Sequence, residues 1–120
     1  MRKVRTTHYI VQENFASDNT KERDARLKAL LEEYVRRHNA IWPEMTQMLN
    51  DAGVHNYTIW NVGDELFGYY ECEDLERACR VQAESEVNAR WDAYMKDVMV
   101  MERDPETGAQ PQLKQVFFHQ

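Results

Sequence analysis

The sequence predicts an α+β domain of ferredoxin-like type, with its elements in the order β-α-β-β-α-β. Three observations lead there. Residues 3–12, 54–62, 66–73 and 112–119 alternate or are rich in β-branched and aromatic types, so each reads as a strand. Apolar residues at helical spacing fill the gap after the first strand and the gap before the last. The 120 residues suit one domain, 1–120, with one sizeable core.

In "KVRTTHYIVQ", Val4, Thr6, His8 and Ile10 alternate with Arg5, Thr7, Tyr9 and Val11, which makes the first strand. A polar turn follows. Asn19 with Glu22 three residues on resembles a capping box, so a helix should begin near Thr20. Its stripe runs through Leu27, Leu30, Leu31, Tyr34, His38 and Ile41/Trp42. Pro43 lacks a backbone donor and disfavours helix at Trp42, so the helix should restart with Pro43 in its first turn and end near Asn50. Gly53 suits a left-handed cap.

In "VHNYTIWNV", alternation puts His55, Tyr57 and Ile59 on one face and Thr58, Trp60 and Val62 on the other. Gly63-Asp64 is a turn signal, and "LFGYYECE" completes a hairpin. "DLERACRVQA" and "VNARWDAYMKDVM" are helical. Pro105, Gly108 and Pro111 mark a loop before "QLKQVFFH", the expected last strand. Tyr9, Trp60, Tyr69 and Phe118 leave neither sheet face fully polar. One helical layer covers one face, so the other predicts a homodimer.

The net charge of −6 argues against nucleic acid or anionic membrane as partner, since both need a basic patch. No apolar run could span a bilayer, and "MRKVRTTHYIVQ" has no hydrophobic signal core, so a cytoplasmic protein is expected. Cys72 and Cys79, on a strand and a helix, read as small buried hydrophobes.

The residues suited to chemistry start with Tyr34 and His38, four apart and so on one helix face. Histidine titrates nearest neutral pH, and tyrosine offers a hydroxyl on an apolar ring. The pair could hold and protonate a small polyol, or both could be core residues with their polar tips on backbone partners; spacing leaves both open. Arg36 and Arg37 face elsewhere, in reach of Glu32 or Glu33, with Arg37 able to reach the site edge. His8, His38, His55 and His119 lie on different elements and lack metal-ligand spacing, and no Gly-rich phosphate loop or nucleophile elbow is present. No metal and no cofactor is therefore expected. Trp42, Tyr57, Trp60, Tyr69, Tyr70, Trp91 and Tyr94 are many rings for a small chain. Such rings stack on sugars, or simply fill a core and a dimer interface.

In order and spacing, "EEYVRRHNAIWPEM", "GVHNYTIW", "LFGYYE", "ARWDAYMKDVM" and "LKQVFFH" resemble the L-rhamnose mutarotase family, from about residue 32 to the C-terminus. The resemblance implies a cofactor-free enzyme interconverting the α and β forms of L-rhamnose, a monosaccharide. It implies a dimeric α+β barrel in which two ferredoxin-like sheets pack face to face. It puts the proton-transferring histidine at His38 and sugar-contacting residues at Tyr34, Tyr57 and Trp91. Two departures stand out. The family usually has Trp-Trp where this chain has Trp91-Asp92, so the preferred sugar is open, and Asp92 either meets a sugar hydroxyl or points to solvent. Residues 14–31 are longer than usual, so the helix should start earlier. The same architecture also houses small monooxygenases, and an aromatic cleft could serve a non-catalytic sugar-binding module.

Overall fold

The computed structural model describes residues 1–11 and 20–120. Its order is β1 (Arg2–Ile10), α1 (Thr20–Asn39), α2 (Pro43–Asp51), β2 (His55–Val62), β3 (Glu65–Cys72), α3 (Leu75–Glu84), α4 (Glu86–Met95) and β4 (Met99–Val100). The strands form one antiparallel sheet in the order β2-β3-β1-β4. The expected cap at Asn19 lies outside the described residues, but α1 does begin at Thr20.

Each break has a local cause. Trp42 is extended (φ −65°, ψ 138°) and Pro43 opens α2, where its missing N–H costs nothing. Gly53 takes φ 75° and closes α2 as expected. The Asp74 side chain accepts from the Arg77 N–H to start α3, and Ser85 accepts from the Asn88 N–H to start α4.

Period-two alternation decides what the sheet hides. Val4, Thr6, His8 and Ile10 of β1 and Leu66, Tyr70 and Cys72 of β3 are buried on one face. Ile10 and Leu66 of that face join Tyr34, Met45, Met48, Trp91, Met95 and Val98 in one core cluster, and Val4, Tyr70 and Cys72 join Ala52, Val54 and Ala78 in a second. Across the sheet, Tyr9, Trp60 and Val62 are exposed. Among the described residues, no helix is long and apolar enough to cross a membrane.

Three expectations need correcting. The alternation in β2 is interrupted. His55 pairs with Glu71 and Thr58 with Tyr69, so β2 spends one residue more than β3 in that interval. This bulge, with Asn56 at φ 51°, puts His55 on the outer face and leaves Tyr57 and Ile59 facing inward. Second, the last helix stops at Met95, and Met99–Val100 become β4 against Tyr9 and Ile10. Third, residues 112–119 do not form the last strand. The segment reaches the same edge of β1, where Gln112 bridges to Thr6 and the Leu113 N–H donates to the Arg5 carbonyl. Beyond Leu113 it leaves the sheet, and Val116, Phe117 and Phe118 are exposed. Pro111 has no N–H to extend the ladder backward.

Candidate active site

Regular helix geometry puts Tyr34 and His38 one above the other on α1. Their ring centroids are 4.1 Å apart with planes inclined by 26°. His38 Nδ1 lies 2.9 Å from the Tyr34 carbonyl oxygen. A carbonyl can only accept, so Nδ1 carries the proton and donates it. In neutral His38 the lone pair then belongs to Nε2, across the ring. Burial lowers the His38 pKa below its usual 6.5, against the opposing pull of that hydrogen bond. Neutral His38 is therefore the ground state at neutral pH.

A cavity of about 330 Å³ opens between the inner sheet face and the helices. Tyr34, His38, Tyr57 and Trp91, all singled out in the sequence, line it together. Trp91 meets His38 edge to face, with centroids 5.3 Å apart and planes at 88°. Trp42 packs on Trp91 at 5.2 Å, also edge to face, and so fixes the Trp91 plane from behind. Tyr57 rises from β2 beside Gly68 of β3. A Cβ on Gly68 would stand 2.7 Å from Thr6 Oγ1, so only glycine leaves Thr6 its place, whereas the Tyr57 hydroxyl at 3.7 Å would be in ordinary contact. Burial raises the Tyr34 and Tyr57 pKa values, which keeps both phenols protonated and able to donate.

Sequence reasoning missed several lining residues. His8, read as an alternating position of β1 and one of four scattered histidines, is 2% exposed and shares a 2.9 Å hydrogen bond between its Nε2 and the Tyr34 hydroxyl. Burial, then the nearby His38 and Arg103, lower its pKa to about 4. Among the described residues its buried Nδ1 has no partner, and neither has Gln110 Oε1. Arg103 and Gln110 come from the loop after β4 and Asn88 from α4; Asp92, which the sequence left between a sugar hydroxyl and solvent, lines the cavity from α4. A polar residue alternating inward on an otherwise apolar strand was the available signal for His8. The loop residues carried no periodicity to mark them.

Arg37 does not line the cavity. It braces the helix from outside, donating to the Tyr94 carbonyl and Asp97 at 2.8 Å and resting over the Tyr94 ring at 4.5 Å. Glu33 pairs with both Arg36 and Arg37, as the helical spacing suggested. His55 and His119 are exposed.

A hydrogen-bonded imidazole with a free Nε2, two protonated phenols and an aromatic wall can move protons on a small polyhydroxylated ring. Comparison with known proteins points the same way. Residues 23–119 match the family described as L-rhamnose mutarotase. An L-rhamnose mutarotase of Oceanobacillus iheyensis is 44% identical over 75 residues, 61% of this chain and 71% of that protein. One from Shigella flexneri is 43% identical over 89 residues, 72% of this chain and 84% of that protein. The crystal structure of an L-rhamnose mutarotase from Formosa agariphila is similar across 100% of both chains, with a TM-score of 0.66 at 20% identity, a likeness of fold.

Proposed function

The chain belongs to the L-rhamnose mutarotase family, and we propose that its reaction, the interconversion of the α and β anomers of L-rhamnose, runs in the cavity of His38, Tyr34, Tyr57 and Trp91. The enzyme is an isomerase, and membership of this family sets the monooxygenase and binding-module alternatives aside. One observation carries the site assignment: the Nδ1–H of His38 is committed to a backbone carbonyl, which leaves Nε2 as a base in the cavity.

The steps follow from that tautomer. Nε2 takes the proton of the anomeric hydroxyl as the bond from C1 to the ring oxygen breaks. The imidazolium returns the proton to the former ring oxygen, leaving an open-chain aldehyde with a free hydroxyl. Rotation about C1–C2 presents the other carbonyl face. His38 then deprotonates the attacking hydroxyl and protonates the carbonyl oxygen as the ring closes. Protons balance, and no metal or cofactor enters these steps. Tyr34 and Tyr57 hold the sugar by their hydroxyls, and Trp91 offers a face to its C–H groups.

The whole of residues 1–120 is taken as one domain, acting as a cytoplasmic homodimer. The antiparallel order β2-β3-β1-β4 supports the ferredoxin-like reading of the sheet. Its outer face exposes Tyr9, Trp60 and Val62, and the alternating tail exposes Val116, Phe117 and Phe118. A second copy covering that face would form a dimeric α+β barrel. Sedimentation equilibrium reads this directly, and a monomer at micromolar concentration would refute it. For the reaction itself, NMR saturation transfer between the anomeric protons of L-rhamnose should show faster exchange with the protein than without it. An unchanged rate in His38→Gln would remove His38 from its role.

A further inference from the structure

The geometry points to a second recognition element that rests on the mutarotase reading of this cavity: Asp92 and Arg103 together grip two adjacent hydroxyls of the pyranose ring and so set which sugar the chain accepts. Both side chains line the cavity with His38 and Tyr57. Asp92 is one step along α4 from Trp91, so it stands beside the aromatic wall rather than behind it. Arg103 reaches it from the loop after β4.

Their contact leaves much of both groups unused. A single guanidinium nitrogen, Nη2, spans the carboxylate, 3.2 Å from Oδ1 and 3.1 Å from Oδ2, and touches Met101 Sδ at 3.1 Å. Among the described residues, Nε and Nη1 have no other acceptor, and the carboxylate has no other donor. Arg–carboxylate pairs frequently close as a two-nitrogen fork. Here the fork is open. The pair is also set among Ile59, Met99 and Met101, with side chains only 36% and 23% exposed for Asp92 and Arg103. Desolvation pushes the Asp92 carboxyl above its ordinary pKa, and Arg103 opposes the rise. Charged groups held half-dry with open valences gain most from a ligand that fills them.

Adjacent ring hydroxyls match this arrangement. One donates its proton to the Asp92 carboxylate, while its neighbour accepts from the Arg103 guanidinium. Two buried atoms on residues lining the same cavity, His8 Nδ1 and Gln110 Oε1, have no partner among the described residues. Tyr57 marks the same corner, since Arg103 and Asp92 act on its phenol with opposite sign. A site built to bond a hydroxyl rejects the analogue that lacks it far more strongly than an apolar pocket does.

The test compares L-rhamnose with its 2-, 3- and 4-deoxy analogues in wild type, Asp92→Asn and Arg103→Met. Anomer exchange is followed by NMR saturation transfer, and sugar binding by saturation-transfer difference spectra. Wild type should lose on the order of a hundredfold in kcat/KM on two analogues deoxygenated at neighbouring positions. Asp92→Asn and Arg103→Met should lose at least tenfold on L-rhamnose but little more on those two analogues, which narrows the discrimination. A uniform loss across all four sugars marks a merely structural pair and overturns the proposal, as does an unchanged rate in both variants on L-rhamnose. If wild type binds L-rhamnose without speeding its exchange, the mutarotase reading of the cavity falls. The binding spectra then decide the subsite on the same criterion, narrowed discrimination in the variants supporting it and unchanged discrimination overturning it. If wild type binds none of the four sugars, both readings fall.

Discussion

Two stretches of wall enclose the cavity, and they are built by different means. The α1 stretch is regular helix: Tyr34 and His38 stack, His38 is tied to its own backbone, and Tyr34 is tied to His8 on β1. The other stretch is a loop, residues 101–112, that reaches in with Met101, Arg103 and Gln110. That loop is held by its own bonds. Asp104 accepts from the Glu106 and Thr107 N–H groups, and Gly108, at φ 73°, comes so near α3 that a Cβ there would stand 2.6 Å from the Ala83 Cβ. One ion pair, Arg103 to Asp92, joins it to α4. The helix stretch has its tautomer and ring planes fixed before any sugar arrives, which is what proton transfer needs. The loop stretch keeps open valences, which is what selection among similar sugars needs.

The largest effect should come from the helix stretch. His38→Gln removes the base while keeping a side chain of similar reach, and loss of a positioned acid/base costs typically about 10²–10⁴-fold in rate. Saturation transfer on L-rhamnose should show kcat falling by that order, with KM moving far less. In wild type the rate should be flat above neutral pH. It should fall as pH drops through the lowered His38 pKa, because the proton-free Nε2 is the working form. A rate that rises on acidification would mean that imidazolium, not imidazole, starts the reaction.

The same contrast explains what could be read beforehand. Tyr34 and His38 were legible because α1 repeats every 3.6 residues and Pro43 marks its end. Trp91 and Tyr57 were legible because a motif of known relatives carried them. Arg103 and Gln110 were not, because a loop has no period and their approach to the cavity depends on the close contact of Gly108 with Ala83. The bulge at Asn56 was also invisible. It follows from the pairing of β2 with β3, which a single strand's alternation does not encode. The tail failed for a related reason: residues 112–119 have the pattern of a strand, but among the described residues they make one bridge, at Gln112. Alternation says that a segment can pair, not that a partner is within reach.

Next in size is a change to the floor that both stretches share. Gly68→Ala puts a methyl group 2.7 Å from Thr6 Oγ1 and 3.7 Å from the Tyr57 hydroxyl. Overpacking of this kind costs about 1–3 kcal/mol. Urea unfolding should show the loss in midpoint, and KM for L-rhamnose should stay near its wild-type value, because the methyl group crowds Thr6 and meets Tyr57 only at ordinary contact distance. Full stability would show that Thr6 yields easily, and a raised KM would show that the sheet as well as the walls sets the cavity's shape.

The support beneath the helix stretch can be broken by protons alone. His8 has a folded pKa of about 4 against 6.5 unfolded, so its neutral form is the one that the fold favours. Its stabilisation is fully present above pH 6.5 and is lost as pH falls from there toward 4. Between pH 7 and 5 that loss is about 2 kcal/mol. Urea midpoints over this range should drop in wild type and drop clearly less in His8→Phe. The carboxylates held low by their partners, Asp97 and Asp104 among them, act at more acid pH and do not confuse the comparison.

The smallest effect should come from the outer brace. Arg37 touches no sugar, yet it links α1 to the end of α4 through the Tyr94 carbonyl, Asp97 and the Tyr94 ring. Tyr94 in turn packs on Trp91 and Trp42, with centroids 5.7 and 5.4 Å away. The partner Asp97 is 71% exposed at its side chain, so solvent screens most of the charge attraction. What survives is the guanidinium on the ring and its buried stem, together about 1 kcal/mol. Arg37→Ala should therefore lower stability by about that amount, and it should do so almost equally in 0.05 and 1 M salt. Its effect on kcat should be slight, because the His38 tautomer is set within α1 itself. A loss that vanished in high salt would mean that the ion pairs, not the ring contact, carry the brace. A large fall in kcat would mean that the Trp91 plane, and with it the fit of the sugar against His38, depends on α4 being held from outside.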